Sequence, residues 1–145
     1  MIYTPYTLEA MRLSYAAHHG QLDRAGAPYI FHPFHLAEQM KSEQAVCVAL
    51  LHDVLEDTGL TERELAARFP EEVVRAVRLL TRVPGEDYFL YLGRIRENPL
   101  AREVKLCDLA HNLDRSRLAA AGLAPDSARV EKYERARAFL LGEKG

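Results

Sequence analysis

Apolar positions recur at helical spacing along almost the whole chain. The segment Thr7–His19 carries Leu8, Met11, Leu13, Tyr15 and Ala16, with Gly20 just beyond, and predicts a first helix. Residues 20–31 read as a loop punctuated by Gly26 and Pro28. Pro33 suits the first turn of a short helix ending near Met40. A third helix is predicted from Glu43 to about Asp57, stopped by Gly59. Its centre, Ala45 to Leu51, is apolar on every face and predicts a buried central helix. Thr61 with Glu64 three residues on is a capping-box signature for a fourth helix. Pro70 opens a fifth, Glu71–Thr81, and Pro84-Gly85 breaks it. Tyr88–Arg96 predicts another helix, Leu100–Ala121 a single long one, and 126–141 a last one with Asp126 as N-cap. No segment alternates convincingly with period two, so the expected fold class is all-α: one helical bundle, read as a single domain over residues 1–145.

The chain of 145 residues is 48% hydrophobic and 28% charged, which suits a soluble domain with a real core. A formal charge of −2, from 19 basic and 21 acidic residues, offers no global field for nucleic acid or an anionic membrane. The longest apolar run, Ala45–Leu51, falls far short of the roughly 18 residues of a spanning helix. The N-terminal Met1-Ile2-Tyr3-Thr4-Pro5 lacks the pattern of a signal peptide, and the expected location is cytoplasmic. Cys47 and Cys107 lack metal-ligand spacing and are expected as free core thiols.

Three places break the pattern. His52, Asp53, Glu56 and Asp57 end a helix that is otherwise wholly apolar. On a continuous helix His52 stacks above Glu56 and Asp53 above Asp57, and the three carboxylates repel both one another and the negative helix end. A bound cation would offset both costs. A solvated helix end is the plainer explanation, but Leu50, Leu51, Val54 and Leu55 continue the apolar face around it. His32 stands between the apolar Tyr29-Ile30-Phe31 and Pro33; alone it reads as a core or capping histidine. Asp108 sits in mid-helix between apolar neighbours, and Lys105, Asp108 and Asn112 share one face at i, i+3 and i+7; alone they read as a surface stripe. Taken together, two His and two Asp can make one closed set of ligands for Mn, Fe, Co or Zn, while the lack of clustered cysteines excludes a thiolate site. Such a metal polarises a phosphoryl oxygen and acidifies water, and Glu56 and Asp57 could orient or deprotonate that water.

The order Ala17-His18-His19-Gly20-Gln21, Gly26-Ala27-Pro28-Tyr29-Ile30-Phe31-His32-Pro33, Leu51-His52-Asp53-Val54-Leu55-Glu56-Asp57-Thr58 and Lys105-Leu106-Cys107-Asp108-Leu109-Ala110-His111-Asn112 resembles the HD superfamily of metal-dependent phosphohydrolases. More narrowly it is similar to the hydrolase domain of the RelA/SpoT alarmone enzymes in its stand-alone form. The resemblance implies an all-α bundle with one metal, usually manganese. It implies removal of the 3′-pyrophosphate from guanosine tetra- or pentaphosphate, so the partner is a small-molecule nucleotide. It matches His32, His52, Asp53 and Asp108 to metal ligands, and Glu56 and Asp57 to the acidic pair that activates water. Asn112 matches the residue near the sugar. Arg129 and Tyr133, at i, i+4, stand where substrate contacts fall, Arg24 stands at the base, and Lys105 shares the Asp108 face as a further substrate contact.

Two positions depart from the family pattern. A basic pair usually precedes the Gly-x-Pro-Tyr-Ile segment, and here it is Asp23-Arg24. An Arg commonly follows two residues after the Asn, and here stands Asp114, then Arg115. Both departures fall on substrate recognition. They leave open another nucleotide phosphate, such as NADPH or a nucleoside monophosphate. They also leave open a low-turnover metal- or nucleotide-binding regulatory module, which the retained Glu56-Asp57 pair argues against.

Overall fold

Burial of the Ala45–Leu51 run organises the molecule. The structure, a computed structural model, describes residues 1–142. Among the described residues ten helices follow one another: α1 Pro5–Ala17, α2 Phe31–Glu38, α3 Glu43–Leu51, α4 Val54–Asp57, α5 Glu62–Ala66, α6 Glu71–Leu79, α7 Tyr88–Arg96, α8 Pro99–Asn112, α9 Arg115–Ala120 and α10 Ser127–Leu141. All seven residues from Ala45 to Leu51 are buried, because α1, α2, α6 and α8 surround α3. An apolar helix with no polar face has to be enclosed in this way. α10 closes the far side against α7 and α8.

Several starts follow from local chemistry. Thr4 caps α1 by accepting from the Thr7 amide at 3.1 Å, and Pro5 occupies the first turn, so the helix begins two residues before the predicted Thr7. Asp126 caps α10 through Ala128 and Arg129, as predicted; of the capping box expected at α5 the Thr61 hydroxyl accepting from the Glu64 amide is present.

Two predicted long helices are each broken in the structure. The segment 43–57 divides at His52-Asp53: the His52 Nδ1–H donates to the Ala49 carbonyl at 2.7 Å, and Asp53 takes φ −107°, ψ −1° as N-cap of α4. A side chain there takes a carbonyl at the end of the helix, and the backbone turns. The segment 100–121 divides after Asn112, where Asp114 turns out of the helix and accepts from the Ser116 amide at 3.0 Å and its hydroxyl at 2.6 Å, starting α9. Apolar periodicity is blind to breaks of one or two residues, because the next segment resumes in nearly the same phase.

The loop before α2 is more ordered than its composition predicts. Leu22 and Pro28 form an isolated bridge, Asp23 and Tyr29 bond back to Ala27 and Gln21 at 2.8 Å each, and Gly26 makes the turn at φ 87°. Cys47 is buried as expected, with its thiol pushed up to about 12 by burial and by Glu43. Cys107 is free but only half-buried, because it lies at the rim of α8.

The core sets the stability. Leu50 is 1% exposed and Leu90 is 68% exposed. Leu50→Ala is expected to cost about 2–5 kcal/mol, and Leu90→Ala to stay within about 0.5 kcal/mol of the parent. Urea unfolding of both variants checks the contrast.

Candidate active site

Four side chains from three parts of the chain meet at one end of α3. His32 comes from the first turn of α2, His52 and Asp53 from the break after α3, and Asp108 from the middle of α8. Ligating atoms of His32, His52 and Asp53 lie within 4.8 Å of one another. Asp108 Oδ1 is 2.8 Å from His32 Nε2 and 3.7 Å from His52 Nε2. The geometry therefore brings together the four residues that sequence spacing alone leaves scattered.

The surroundings orient each ligand. His52 gives its Nδ1–H to the Ala49 carbonyl, so Nε2 carries the lone pair. That atom is buried without a hydrogen bond, although Asp53 Oδ2 lies 3.1 Å away. A lone pair facing a carboxylate oxygen is unfavourable until a cation sits between them. Tyr29 holds Asp53 by donating its hydroxyl to the carboxylate, and the Tyr29 ring packs on His18. His32 Nδ1 lies 2.7 Å from His111 Nδ1. Burial and the Arg117 guanidinium depress His111 to about 4, so its imidazole is neutral and can accept the His32 Nδ1–H, leaving His32 Nε2 as donor to a cation. Burial also lowers His32, which favours the neutral form a ligand needs.

The carboxylates show the same imbalance. Asp53 is pushed well up by burial and by the Asp108 and Asp57 charges. Burial presses Asp108 in the same direction, but Lys105 and the two histidines overcome it and hold Asp108 well below the carboxylate range. Lys105 Nζ donates to Asp108 Oδ2 at 3.0 Å and Asn112 Nδ2 to Oδ1 at 3.1 Å, so the face read at i, i+3 and i+7 is a network rather than a surface stripe. Burial opposes the Lys105 charge, yet Asp108 and the Tyr91 and Tyr88 phenols keep its pKa well above the usual lysine value. Two imidazoles and two carboxylates with this donor chemistry suit a divalent cation.

Glu56 and Asp57 stand beside Asp53, with carboxylate oxygens of all three within 4.8 Å, and both are exposed. Glu56 Oε1 accepts from the Arg82 amide at 3.0 Å. Although the residue is exposed, protein atoms crowding its carboxyl partly desolvate it and raise the Glu56 pKa, and the Asp57 charge adds to the shift against that hydrogen bond. A cavity of about 400 Å³ opens over the cluster, lined by His32, Asp53 and Asp108 and by Arg24, Lys105, Asn112, Arg129 and Tyr133. His52 lies behind that wall, and Glu56 and Asp57 flank it.

Four contributors escape sequence reading. Tyr29, Asp23, Arg117 and the Arg82 amide act through partners 24, 94, 94 and 26 residues away. Two of them left a trace: Tyr29 as part of the apolar loop before His32, and Asp23 as a departure from the family's basic pair.

An all-helical bundle with a His/Asp cluster at the broken end of its central helix defines the class: a helical metal-site domain with a polar cavity beside the metal position. The chain belongs to the HD-domain family, whose model matches residues 10–115. It is 36% identical over 115 residues to a guanosine-3′,5′-bis(diphosphate) 3′-pyrophosphohydrolase of Spiroplasma citri, covering 66% of this chain and 15% of that protein. It is 34% identical over 108 residues to the protein of the same name in Aquifex aeolicus, covering 66% and 16%. With a GTP pyrophosphokinase of Myxococcus xanthus the identity is 39% over 114 residues, covering 66% and 15%. The match thus spans about a sixth of the length of these curated relatives. A solved structure described as a metazoan ortholog of SpoT that hydrolyzes ppGpp shares the fold, with a TM-score of 0.75 at 21% identity, over 97% of this chain and 88% of that one. Among the described residues no helix is long and apolar enough to cross a membrane.

Proposed function

We propose that the chain is a manganese-dependent phosphohydrolase that converts guanosine 3′,5′-bis(diphosphate) to GDP and pyrophosphate. The observation that carries the reading is the buried lone pair of His52 Nε2, facing Asp53 and Asp108 with no proton to share, just behind the wall of a cavity that Asp53, Asp108 and Lys105 line. The names of the relatives supply the substrate class.

His32, His52, Asp53 and Asp108 would hold the cation. When bound, it would polarise a phosphoryl oxygen and acidify a water molecule. Glu56 is placed to take a proton from a water attacking the phosphorus on the nucleoside 3′ oxygen, and Asp57 keeps Glu56 basic by its adjacent charge. The bond from phosphorus to the 3′ oxygen breaks, pyrophosphate leaves with the water oxygen, and the 3′ oxygen takes up a proton from Glu56 or from solvent to give GDP. Lys105, kept protonated by Asp108, and Arg129 face the phosphates; Asn112 and Tyr133 border the sugar; Arg24 reaches the base.

The reading predicts an acid limb. A glutamate lifted by burial accepts a proton only above its raised pKa, so kcat at saturating Mn²⁺ is expected to fall at a pH above the ordinary glutamate value of about 4.3. A pH–rate profile checks this; a limb at or below that value contradicts it.

Asp23, where the family carries a basic residue, favours a second reading in which NADPH or a nucleoside monophosphate is the substrate. Comparison of kcat/KM for ppGpp, NADPH and GMP, with products identified, decides between them. The proposal requires ppGpp to lead and pyrophosphate to be released; a lead by either other nucleotide, with inorganic phosphate released, overturns it.

A further inference from the structure

One stretch of the family pattern, Ala17-His18-His19-Gly20-Gln21, lines no part of the cavity, although His18 within it is only 1% exposed. Gly20, at φ 84°, turns the chain back, and the Gln21 amide donates to the His18 carbonyl at 3.0 Å. The side chains meet as well: His18 Nδ1 is 2.9 Å from Gln21 Oε1. Gln21 Nε2 donates to the Asp57 carbonyl at 3.0 Å, across 36 residues of sequence. A carbonyl only accepts, so the orientation of the Gln21 amide is fixed, and His18 carries its proton on Nδ1. Burial lowers the His18 pKa against the Gln21 hydrogen bond, which keeps the ring neutral. The Gln21 backbone carbonyl accepts from the Tyr29 amide at 2.8 Å, and Tyr29 holds Asp53 through its hydroxyl. Gln21 thus stands between the residue that fixes one cation ligand and the helix end that carries Glu56 and Asp57.

α4 depends on outside support. Its four residues make a single turn, which does not hold itself together, and Asp53 gives it no side-chain cap. Thr58 Oγ1 donates to the Val54 carbonyl, the Arg82 amide donates to Glu56 Oε1, and Gln21 takes the Asp57 carbonyl. Thr58 follows α4 directly and moves with it, and Arg82 grips one side chain. Gln21 ties the backbone of the acidic pair to the Tyr29 side of the site.

We infer that Gln21, locked by His18, is a positioning residue that sets Glu56 and Asp57 relative to Asp53 without touching the nucleotide, a role that rests on Glu56 being the proton acceptor. A free glutamine samples several rotamers, and the His18 bond removes that freedom. A displaced base costs rate rather than substrate affinity, because proton transfer needs the base within hydrogen-bond reach of the water.

Gln21→Met keeps the length of the side chain and the backbone bond to Tyr29, and loses both side-chain amide bonds. In the Mn²⁺-loaded full chain it is expected to lower kcat for ppGpp about tenfold, with KM and Mn²⁺ affinity within about twofold of the parent. His18→Leu should do the same. His18→Asn, whose Nδ2–H stands where the Nδ1–H stood, should restore most of the lost rate. The Glu56→Gln background separates positioning from general damage: there Gln21→Met should have no further effect, whereas independent defects multiply. Hydrogen exchange of the 54–57 amides should quicken about tenfold in Gln21→Met, with the other helices unchanged. An unchanged kcat overturns the inference. So does a rise in KM or a loss of Mn²⁺ that accompanies the fall in kcat, or a comparable fall in the Glu56→Gln background. If Gln21→Met does not fold, the two His18 variants carry the same comparison. A parent that fails to hydrolyse ppGpp sinks the proposed reaction, and hydrogen exchange then decides alone: unaltered protection of 54–57 overturns the positioning role.

Discussion

His52→Ala and Asp108→Ala are each expected to strip the cation from the protein and to lower kcat/KM by upwards of about a thousandfold. The expectation follows from how the four side chains are held. His52 presents its lone pair only because Ala49 takes the other ring proton, and no neighbouring side chain can replace it from within the buried floor. Asp108 has a second duty. It is the carboxylate partner of Lys105, accepts from Asn112, and lies 2.8 Å from the His32 Nε2 lone pair with which it would share the cation. Its loss leaves a largely buried ammonium unpaired, which costs about 3–5 kcal/mol of stability beyond the loss of metal. The two variants should therefore differ: His52→Ala melts near the metal-free parent, and Asp108→Ala well below it. Asp108→Asn, which keeps the shape, guards against plain unfolding. Metal content by mass spectrometry, thermal melting and turnover measured together check the pair. Full metal occupancy in a folded His52→Ala protein would remove His52 from the ligand set.

Glu56→Gln is expected to do the reverse: to hold its metal and its substrate affinity while kcat falls by roughly a hundredfold to ten-thousandfold, the usual contribution of a positioned general base. Glutamine fits the same space and still accepts from the Arg82 amide, so the fold around Thr81-Arg82 should not move. What it lacks is the basicity that burial and Asp57 confer on the glutamate. The split matters, since a ligand variant loses metal and rate together and a base variant loses rate alone. An unchanged kcat in Glu56→Gln would assign proton transfer to Asp57 or to solvent.

Much of this arrangement was legible in the sequence, for different reasons at different places. The apolar ring of Ala45–Leu51 could only be a buried helix, and it is the one that α1, α2, α6 and α8 enclose. The Lys105–Asp108–Asn112 face was set by helical spacing alone. The two breaks, at His52-Asp53 and at Leu113-Asp114, were not legible, because each depends on a side chain taking over a backbone group rather than on any change in hydrophobic phase. Those breaks matter most for the site: the first turns Asp53 toward Tyr29, and the second lets α9 bring Arg117 to Asp23. That His32, His52, Asp53 and Asp108 meet in space could not be derived from spacing either. The resemblance to the HD proteins implied it, and the packing of α2 and α8 on α3 brings it about. Asp23 looked like a lost contact in the sequence and is, in the fold, half of an ion pair whose other half lies 94 residues away.

The most direct test of the central claim is hydrolysis of ppGpp by chelator-stripped protein, with and without added Mn²⁺, following pyrophosphate and GDP together. Equal amounts of both products, formed only when Mn²⁺ is restored, are predicted. Protein that binds Mn²⁺ and leaves ppGpp intact would contradict the assignment of the substrate, and release of the products without any metal would contradict the assignment of the metal centre.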